Sequence, residues 1–364
     1  MHKSGIFMFG VLFILSVVLA GCFQGEQSLE EIDAPQDQET VKEVDAQQNN
    51  EDEEESTDSE SEDIANDTTG ETVARQLYLL DMNGMVVSQT LELPKLESKE
   101  VATQVLEYLV KGGPVTPLLP NGFQAVLPEG TEVLGMNLQE DGTLVVDLSE
   151  EFKNYPAEDE MNILESMTYT LTQFDTVNKV KLMINGHVLS EMPVNGTPIV
   201  SGYSRTNGIN LIDTDTIDLI DSQAVTMYFP AGYNENRYYV PVTSHVETEG
   251  DDIYRSIVQA LIDGPGYNNL NMTHVFNAHT SLVEDPVFNN GVLELVFNQD
   301  ILEDVEQAMI SDEVMETIVR TLTEQEMVEA VDVKVENVEV IKNENGEAYS
   351  EPVTKDSFIN IEKL

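Results

Sequence analysis

The sequence of 364 residues contains no tryptophan, a single cysteine and only 17 basic residues against 68 acidic ones. A chain with one cysteine cannot form an intramolecular disulfide bond. The formal net charge of −51 argues against nucleic-acid binding, because phosphates are bound through Lys and Arg side chains that displace counterions. It also argues against unassisted docking on anionic lipid. We interpret the acidity as an aid to solubility in a salty or alkaline medium, with specific cation binding as the alternative.

Catalytic signatures are also lacking. The chain has no Gly-x-Ser-x-Gly elbow, no His-Glu-x-x-His motif and no Gly-rich phosphate loop after a strand, so none of the common sequence patterns for hydrolytic, metallopeptidase or nucleotide chemistry is present. We therefore predict no catalytic residue, no cofactor and no metal site, and we expect that the protein is not an enzyme.

An internal repeat with an offset of about 150 residues organises the chain. Glu107–Pro114 and Gln259–Pro265 both end an apolar helix with Gly and Pro, as helix C-termini commonly do. Other positions match in register: Tyr78 with Tyr228, Val101, Val105, Leu106 and Leu109 with Ile253, Ile257, Val258 and Leu261, Thr170–Thr172 with Thr321–Thr323, and Val180–Ile184 with Val331–Val335. We predict two copies of one domain, residues 73–210 and 222–364, joined by a linker over 211–221.

The N-terminus has the layout of a secretory signal peptide, residues 1–21, because His2 and Lys3 precede an apolar run shorter than the ~20 residues of a membrane span. The run ends in Leu19-Ala-Gly-Cys22, which resembles the lipobox of bacterial lipoproteins. That resemblance implies that Cys22 is acylated with diacylglycerol and becomes the first residue of the mature protein. A plain signal peptide or a short membrane anchor, with Cys22 as an ordinary small side chain, is the alternative.

Residues 22–72 are rich in Glu, Asp, Gln, Ser and Thr. Such a segment buries too little apolar surface to offset its conformational entropy, so we predict a disordered acidic linker. We interpret it as a spacer between the lipid and the folded domains. Binding of a basic partner by this segment is the alternative.

Each copy reads as strand, strand, helix, strand, strand, helix, strand. Asn83-Gly84 and Asp141-Gly142 are hairpin signals, and a helix begins near Pro156. This order predicts an α+β fold, with one mixed sheet and two helices packed on one face in each copy. We expect the copies to have separate cores, with Leu109 and Leu261 buried in them.

Carboxylates are candidates for chemistry because a pair of them can cleave a glycosidic bond. Asp147, Glu150 and Glu151 follow a predicted hairpin, and Glu158–Glu160 open the next helix. Val296 and Gln299 replace Asp147 and Glu150 in the second copy, so any such chemistry would belong to one copy. We attribute these acids to hairpin and helix-start electrostatics.

Two weaker metal-ligand patterns remain. Asp213-Thr-Asp215 with Asp218 partly matches a calcium loop, but the Gly at the sixth position is absent and Ala224 stands where the closing Glu belongs. We interpret this stretch as a solvated linker. His2 lies in the signal, and the other histidines do not recur between the copies. We expect them to be solvent-exposed polar residues, with metal ligation by the pair His274 and His279 as the alternative.

The lipobox and the duplicated unit together resemble the GerM-type lipoproteins of endospore-forming bacteria, which carry two tandem GerMN domains. The resemblance covers about residues 74–210 and 222–360. It rests on Leu77-Tyr-Leu79, Leu109–Pro114, Gly142–Phe152, Val180–Gly186 and the closing Ile209-Asn210 and Ile359-Asn360. The second copy departs from the pattern, because Val296-Phe-Asn298 replaces Val-Asp-Leu-Ser and the Asn-Gly after the last strand is missing.

This resemblance implies an extracytoplasmic, membrane-anchored role in sporulation and spore germination without enzymatic activity. It places the protein on the outer face of the cytoplasmic membrane, which is the outer forespore membrane in sporulating cells. The fold of the family is similar to ring-building modules of secretion-type assemblies. The resemblance therefore implies a scaffold that contacts other proteins, in a ring-like assembly.

Two other functions are alternatives. A peptidoglycan-binding module would need an exposed aromatic groove, for which a cluster of five aromatic residues is the candidate: Tyr228, Phe229, Tyr233, Tyr238 and Tyr239. Alternating aromatic residues on strands are more often core side chains. A peptidoglycan-modifying enzyme would need a convergent polar pocket, and no residues in the sequence predict one.

Overall fold

A computed structural model describes residues 71–96, 100–212, 221–234, 236–248, 253–266 and 271–362. The predicted signal peptide, the lipidation site Cys22 and the acidic linker up to residue 70 lie outside these residues, as do Asp213–Asp218. Within the described ranges, no helix is long and apolar enough to cross a membrane.

In its described residues, the first copy contains six strands and two α-helices. In chain order they are β1 (Thr72–Leu80), β2 (Val86–Pro94), α1 (Val101–Glu107), β3 (Val133–Leu138), β4 (Thr143–Leu148), α2 (Glu160–Leu171), β5 (Lys179–Ile184) and β6 (His187–Val188). Strands β1 and β2 form an antiparallel hairpin, and the other four form a sheet in the order β3-β4-β5-β6. The central pair, β4 and β5, is parallel and is connected through α2.

The second copy repeats this order. Its elements are β7 (Ser222–Tyr233), β8 (Asn236–Glu247), α3 (Ile253–Asp263), β9 (Val287–Asn289), β10 (Val292–Phe297), α4 (Asp312–Leu322), β11 (Ala330–Val335) and β12 (Val353–Thr354). Strands β7 and β8 form a hairpin, and the sheet order is β9-β10-β11-β12 with β10 and β11 parallel. The predicted tandem α+β fold with mixed sheets is confirmed.

The first hairpin of each copy is separate from the mixed sheet, whereas the sequence predicted one sheet. The reason lies at the edge of β1 that β2 leaves open. There the hydroxyl of Ser166 on α2 donates to the Tyr78 carbonyl, and the Tyr78 amide donates to Thr170 Oγ1 at 3.0 Å. A helix rather than a strand therefore satisfies this edge, so the hydrogen-bonded sheet does not continue through it.

Strand β6 has no counterpart in the second copy. It depends on the turn Asn185-Gly186, where both residues have positive φ, 48° and 78°, as in the tight turns that favour Asn-Gly. In the second copy Glu336-Asn337 stand at the matching position after β11, and the tail strand β12 pairs with β11 instead. In the first copy only Tyr203 of the tail forms the corresponding bridge, to Val180.

The expectation of separate cores was wrong, because the buried apolar side chains of both copies form one continuous cluster. Leu109 and Leu261 are fully buried in it, as predicted. Strand β2 packs against β8, and the rings of Phe123 and Tyr238 meet edge-to-face with centroids 5.0 Å apart. The copies share a core because the hairpin of each presents an apolar surface that the hairpin of the other covers.

Candidate functional site

Carboxylates at the end of β4 and just after it contact the β5–β6 turn. Both carboxylate oxygens of Asp147 accept hydrogen bonds from the Gly186 amide, at 2.9 and 3.0 Å. Asn185 Nδ2 donates to Glu150 Oε2 at 3.2 Å, and Lys153 Nζ lies 2.7 Å from Glu150 Oε1. The Ser149 hydroxyl lowers the pKa of Glu151. These contacts explain why Asp147 and the Asn-Gly dipeptide are both restricted to the first copy.

Glu160, the first residue of α2, binds the loop that contains Asn195 and Thr197. Its side chain is fully buried and accepts hydrogen bonds from Asn195 N at 2.6 Å, Thr197 N at 3.0 Å and Tyr155 Oη at 2.9 Å. Burial raises the pKa of Glu160, but these hydrogen bonds outweigh burial and leave the pKa below its ordinary value. The Glu160 carboxylate therefore has a structural role, since it is hydrogen-bonded within the protein and does not contact solvent.

The aromatic cluster of the second copy is in the core. Tyr228, Phe229, Tyr238 and Tyr239 are buried, and Tyr233 is half-buried. The interpretation of these residues as core side chains is confirmed, and the aromatic groove that a wall-binding module would need is not built from them.

The histidines lie at the surface, as expected: His187, His245, His274 and His279 are all exposed. Nε2 of the His274 ring lies 2.6 Å from the carbonyl oxygen of Ile262 and is therefore already hydrogen-bonded. In the part of the chain that the structure describes, no group of three or more His, Cys, Asp or Glu side chains is arranged to hold a metal ion.

The matching Thr residues of the two copies make one repeated contact. Thr170 on α2 accepts the amide of Tyr78 on β1, and Thr321 on α4 accepts the amide of Tyr228 on β7, both at 3.0 Å. This bond fixes each helix along the edge of its hairpin.

A polar group at the boundary of the two copies, which we call the junction cluster, consists of Tyr78, Tyr169, Arg205, Tyr228, Glu324 and Lys355. Arg205, in the tail of the first copy, lies with Nη1 2.6 Å from Glu324 Oε1 of the second copy. Glu324 Oε2 accepts the Tyr228 hydroxyl at 3.2 Å and lies 3.4 Å from Lys355 Nζ. One carboxylate therefore joins cations from both copies.

Aromatic rings cover the cations of this cluster. The Arg205 guanidinium lies 4.6 Å from the Tyr169 ring centroid, and Lys355 Nζ lies 5.8 Å from that of Tyr228, distances at which the ring faces attract a cation. Only 16% of the Glu324 side chain and 29% of the Arg205 side chain are exposed. Burial alone would raise the pKa of Glu324, but Lys355 and Arg205 lower it to about 2.

A second joint between the copies lies at Asn210, the residue that closes the first repeat. Its Nδ2 donates to the carbonyls of Val86 and Pro241, at 2.8 and 2.7 Å, so that one amide group connects β2 with β8. Nearby, Tyr238 Oη donates to Asp81 Oδ2 at 2.9 Å. These contacts hold the hairpins of the two copies in one arrangement.

Glu165 on α2 is a buried carboxyl that accepts a hydrogen bond from the backbone of the first copy's tail. It is 3% exposed and accepts the Asn210 amide at 3.0 Å. Burial raises its pKa to about 7, against a smaller opposing effect of that hydrogen bond. At the matching position of the second copy, Glu316 pairs with Arg320 at 2.6 Å.

A cleft of about 630 Å³ lies between the end of α2 and the tail of the first copy. Asp175 is its one carboxylate, and its lining contains no histidine or cysteine. Ser204, in its wall, already donates its amide to Asn207 Oδ1 at 2.9 Å. The cleft therefore offers no nucleophile with an adjacent base.

These features define a protein built from two copies of a small α+β domain, locked together by a buried polar junction and without a catalytic constellation in the described residues. A family model described as "Germane: Sporulation and spore germination" matches residues 76–190 and 226–341. The chain belongs to this family, and the resemblance predicted from its motifs is confirmed.

Two relatives are particularly similar. The spore germination protein GerM of Bacillus subtilis (strain 168) is 44% identical over 366 aligned residues, which cover 99% of each chain. The solved structure of the tandem GerMN domains of the sporulation protein GerM from Bacillus subtilis superposes with a TM-score of 0.72 at 47% identity. It covers 78% of this chain and 97% of that one.

Sequence reasoning did not single out the junction cluster. A signal was present, because Arg205 and Lys355 occupy matching positions of the two copies in a chain with only 17 basic residues. Glu324 could not have been chosen in the same way, since it is one of 68 acidic residues.

Proposed function

We propose that this member of the sporulation and spore germination family acts as a non-enzymatic scaffold that binds other proteins. The observation that carries the proposal is the junction between the copies. Arg205 in the tail of the first copy meets Glu324, just after α4, and Lys355, in the tail of the second copy, across the boundary, and Asn210 joins the hairpins. Surfaces on the two copies are thereby held at a fixed spacing, which suits a component that positions partners.

The carboxylates, histidines and aromatic residues that could have supported chemistry have other roles, in a turn, at the surface and in the core. Two linked modules raise the effective concentration of a second contact once the first is made. A scaffold of modest affinity at each module could therefore hold an assembly, including a ring-like one.

We further propose that the protein is anchored by lipid on Cys22 to the outer face of the cytoplasmic membrane, which is the outer forespore membrane in sporulating cells. Leu19-Ala-Gly-Cys22 after a short apolar run supports this. The acidic residues that follow would let the folded part stand away from an anionic membrane surface.

The test is spore yield and germination in a strain that carries Asp147→Asn, Glu150→Gln and Glu151→Gln together. These changes remove the acid–base capacity but keep hydrogen-bonding atoms at the β5–β6 turn. We expect yields near those of the parent. A loss of spores in this strain, with the variant folded and membrane-bound, would require an enzymatic function.

Direct binding to the cell wall is a separate outcome. Co-sedimentation of the protein with purified peptidoglycan measures it. We expect no saturable binding, because the aromatic residues that could have formed a sugar-stacking groove are buried.

A further inference from the structure

One strand edge in the first copy is left open. Strand β3, Val133–Leu138, is the first strand of its sheet and pairs only with β4. Among the described residues, no backbone hydrogen bond reaches its other side, which we call the β3 edge. Unpaired edges of this kind are templates for another extended chain.

The β3 edge offers its own donors and acceptors. The Gln139 amide donates to Thr143 O of the neighbouring strand at 2.9 Å. In an antiparallel pair the hydrogen-bonded positions alternate, so the backbone groups of Leu138 and Met136 point away from β4. A register shift between Val133 and Gly135 confines this regular spacing to the second part of the strand.

Nothing in the composition of β3 protects it. Val133–Leu138 contains no charged residue and no proline, and the side chain of Leu134 is 48% exposed. Proteins commonly shield exposed edges with charges, prolines or covering elements.

The second copy shields the same edge. Its counterpart is interrupted by Glu284-Asp285-Pro286, and Arg255 of α3 binds Asp285 Oδ1 at 2.7 Å. Val287 pairs with Glu294 of β10. If this ladder is extended by one residue, Pro286 lies opposite Leu295. Leu295 matches Val146 of the first copy, and Val146 pairs with Met136. The two copies thus differ at one equivalent position, with a free amide in the first and a proline in the second.

The charges beside the β3 edge indicate which kind of chain can pair with it. Exposed carboxylates flank the β3 edge, Glu132 before it and Glu140 and Asp141 after it. A second copy of this protein paired antiparallel about Met136 would bring Glu132 against Glu140, and like charges directly opposite are destabilising. A strand with Lys or Arg at both ends would place opposite charges at both ends of the pairing.

We propose that the β3 edge binds an extended segment of a basic partner protein by strand addition, with apolar residues at the centre of the segment and Lys or Arg at its ends. Main-chain hydrogen bonds to Met136 and Leu138 supply the attachment, as in other strand-addition complexes. The proposal deepens the proposed scaffold function and rests on its protein-binding part.

The test uses a nine-residue synthetic peptide of alternating Val and Thr flanked by Lys pairs, with a Glu-flanked peptide as the charge control. Binding to the protein is measured by titration, and amide hydrogen exchange locates it. We expect saturable binding that slows exchange at Met136 and Leu138, about tenfold tighter for the Lys-flanked peptide and weakened by salt. No saturable binding, or protection at β9 instead of β3, would overturn the proposal.

Two variants make the test specific. Met136→Pro removes the outward amide without removing a bond to β4, and Met136→Leu keeps the amide as the matched control. We expect only the proline variant to lose peptide binding. Unchanged binding in Met136→Pro would refute strand addition.

A second variant guards against misfolding of the first. Glu132→Lys with Glu140→Lys leaves the backbone intact, and we expect it to prefer the Glu-flanked peptide. An unchanged preference for the Lys-flanked peptide would refute the charge argument. The peptide experiment does not involve Asp147, Glu150 or Glu151, so its failure is distinct from failure of the scaffold function.

Discussion

Replacing Arg205 with methionine removes the largely buried ion pair that joins the two copies. Methionine keeps an apolar stem against the Tyr169 ring but removes the guanidinium that lies 2.6 Å from Glu324. Glu324 then retains only Lys355 at 3.4 Å and the Tyr228 hydroxyl at 3.2 Å.

Two arguments give the expected loss of folding stability in Arg205→Met. Removing one partner of a buried pair costs about 3–5 kcal/mol, and the partial exposure of this pair with the remaining Lys355 reduces this to roughly 2–3 kcal/mol. The pKa of Glu324, about 2 against an ordinary 4.5, corresponds to about 3 kcal/mol of stabilisation of the charged form. Lys355 and Arg205 share this stabilisation, so the part that depends on Arg205 is consistent with the lower end of the first range. We expect Arg205→Met to lower the free energy of unfolding by that amount at pH 7.

The assay is urea denaturation of the chain from residue 71 onward, with Arg237→Met as the control. Arg237 pairs with Glu313 at 2.8 Å, but its side chain is 74% exposed, so its loss should cost less than about 1 kcal/mol. Adding Glu324→Gln to Arg205→Met should recover part of the loss, because the buried carboxylate that lost the guanidinium is then neutral. Equal costs for Arg205→Met and Arg237→Met, or strict additivity with Glu324→Gln, would refute the reasoning.

The lowered pKa of Glu324 also predicts that the folded protein loses stability in acid. Since the folded pKa of Glu324 lies below the unfolded value, the stability from this group is present above about pH 4.5 and is lost as the pH falls toward about 2. This acid-induced loss should be smaller in Arg205→Met. An unchanged pH profile between pH 2 and 5 would contradict the assignment.

Three further predictions follow from individual contacts. Thr170→Val and Thr321→Val each leave a strand amide without its acceptor and should cost about 1–2 kcal/mol in urea denaturation, whereas Thr317→Val, which removes a buried hydroxyl without a partner, should be neutral or stabilising. Because burial raises the pKa of Glu165 to about 7 from 4.5, stability should fall as the pH rises through that window, and Glu165→Gln should abolish the fall; a fall of the same size in the variant would refute the assignment. Cys22→Ala should move the protein from the membrane to the soluble fraction or leave an unprocessed precursor, and unchanged lipid labelling would exclude Cys22 as the anchor.

The local fold could be predicted from the sequence because its signals are local. The hairpin predicted at Asp141-Gly142 is present, with β3 ending at Leu138 and β4 beginning at Thr143, since apolar residues on both sides flank the Asp-Gly turn. Because the sequence repeats, the same elements could be predicted for the second copy. Helix α1 is shorter than its apolar pattern suggested, ending at Glu107.

The shared core and the junction could not be predicted from the sequence. Periodicity shows which face of a strand is apolar, but it does not show whether that face is covered by its own copy or by the other. Arg205 and Glu324 are 119 residues apart, and neither lies in a motif. The separation of the hairpin from the mixed sheet was not predicted for a similar reason. The hydroxyl of Thr170, rather than a strand, accepts the hydrogen bond at the edge of β1, and no sequence pattern shows which of the two will bind there.

The central claim is that the two copies form one folded body, and the absence of tryptophan makes it directly measurable. Tyr108→Trp places a single fluorescent probe in the first copy and Tyr349→Trp places one in the second, both at half-buried positions. Urea unfolding of the two variants, each also followed by circular dichroism, should give coincident transitions at the same midpoint, since a shared core unfolds cooperatively. Two separated midpoints, with one copy unfolding while the other stays intact, would contradict the account.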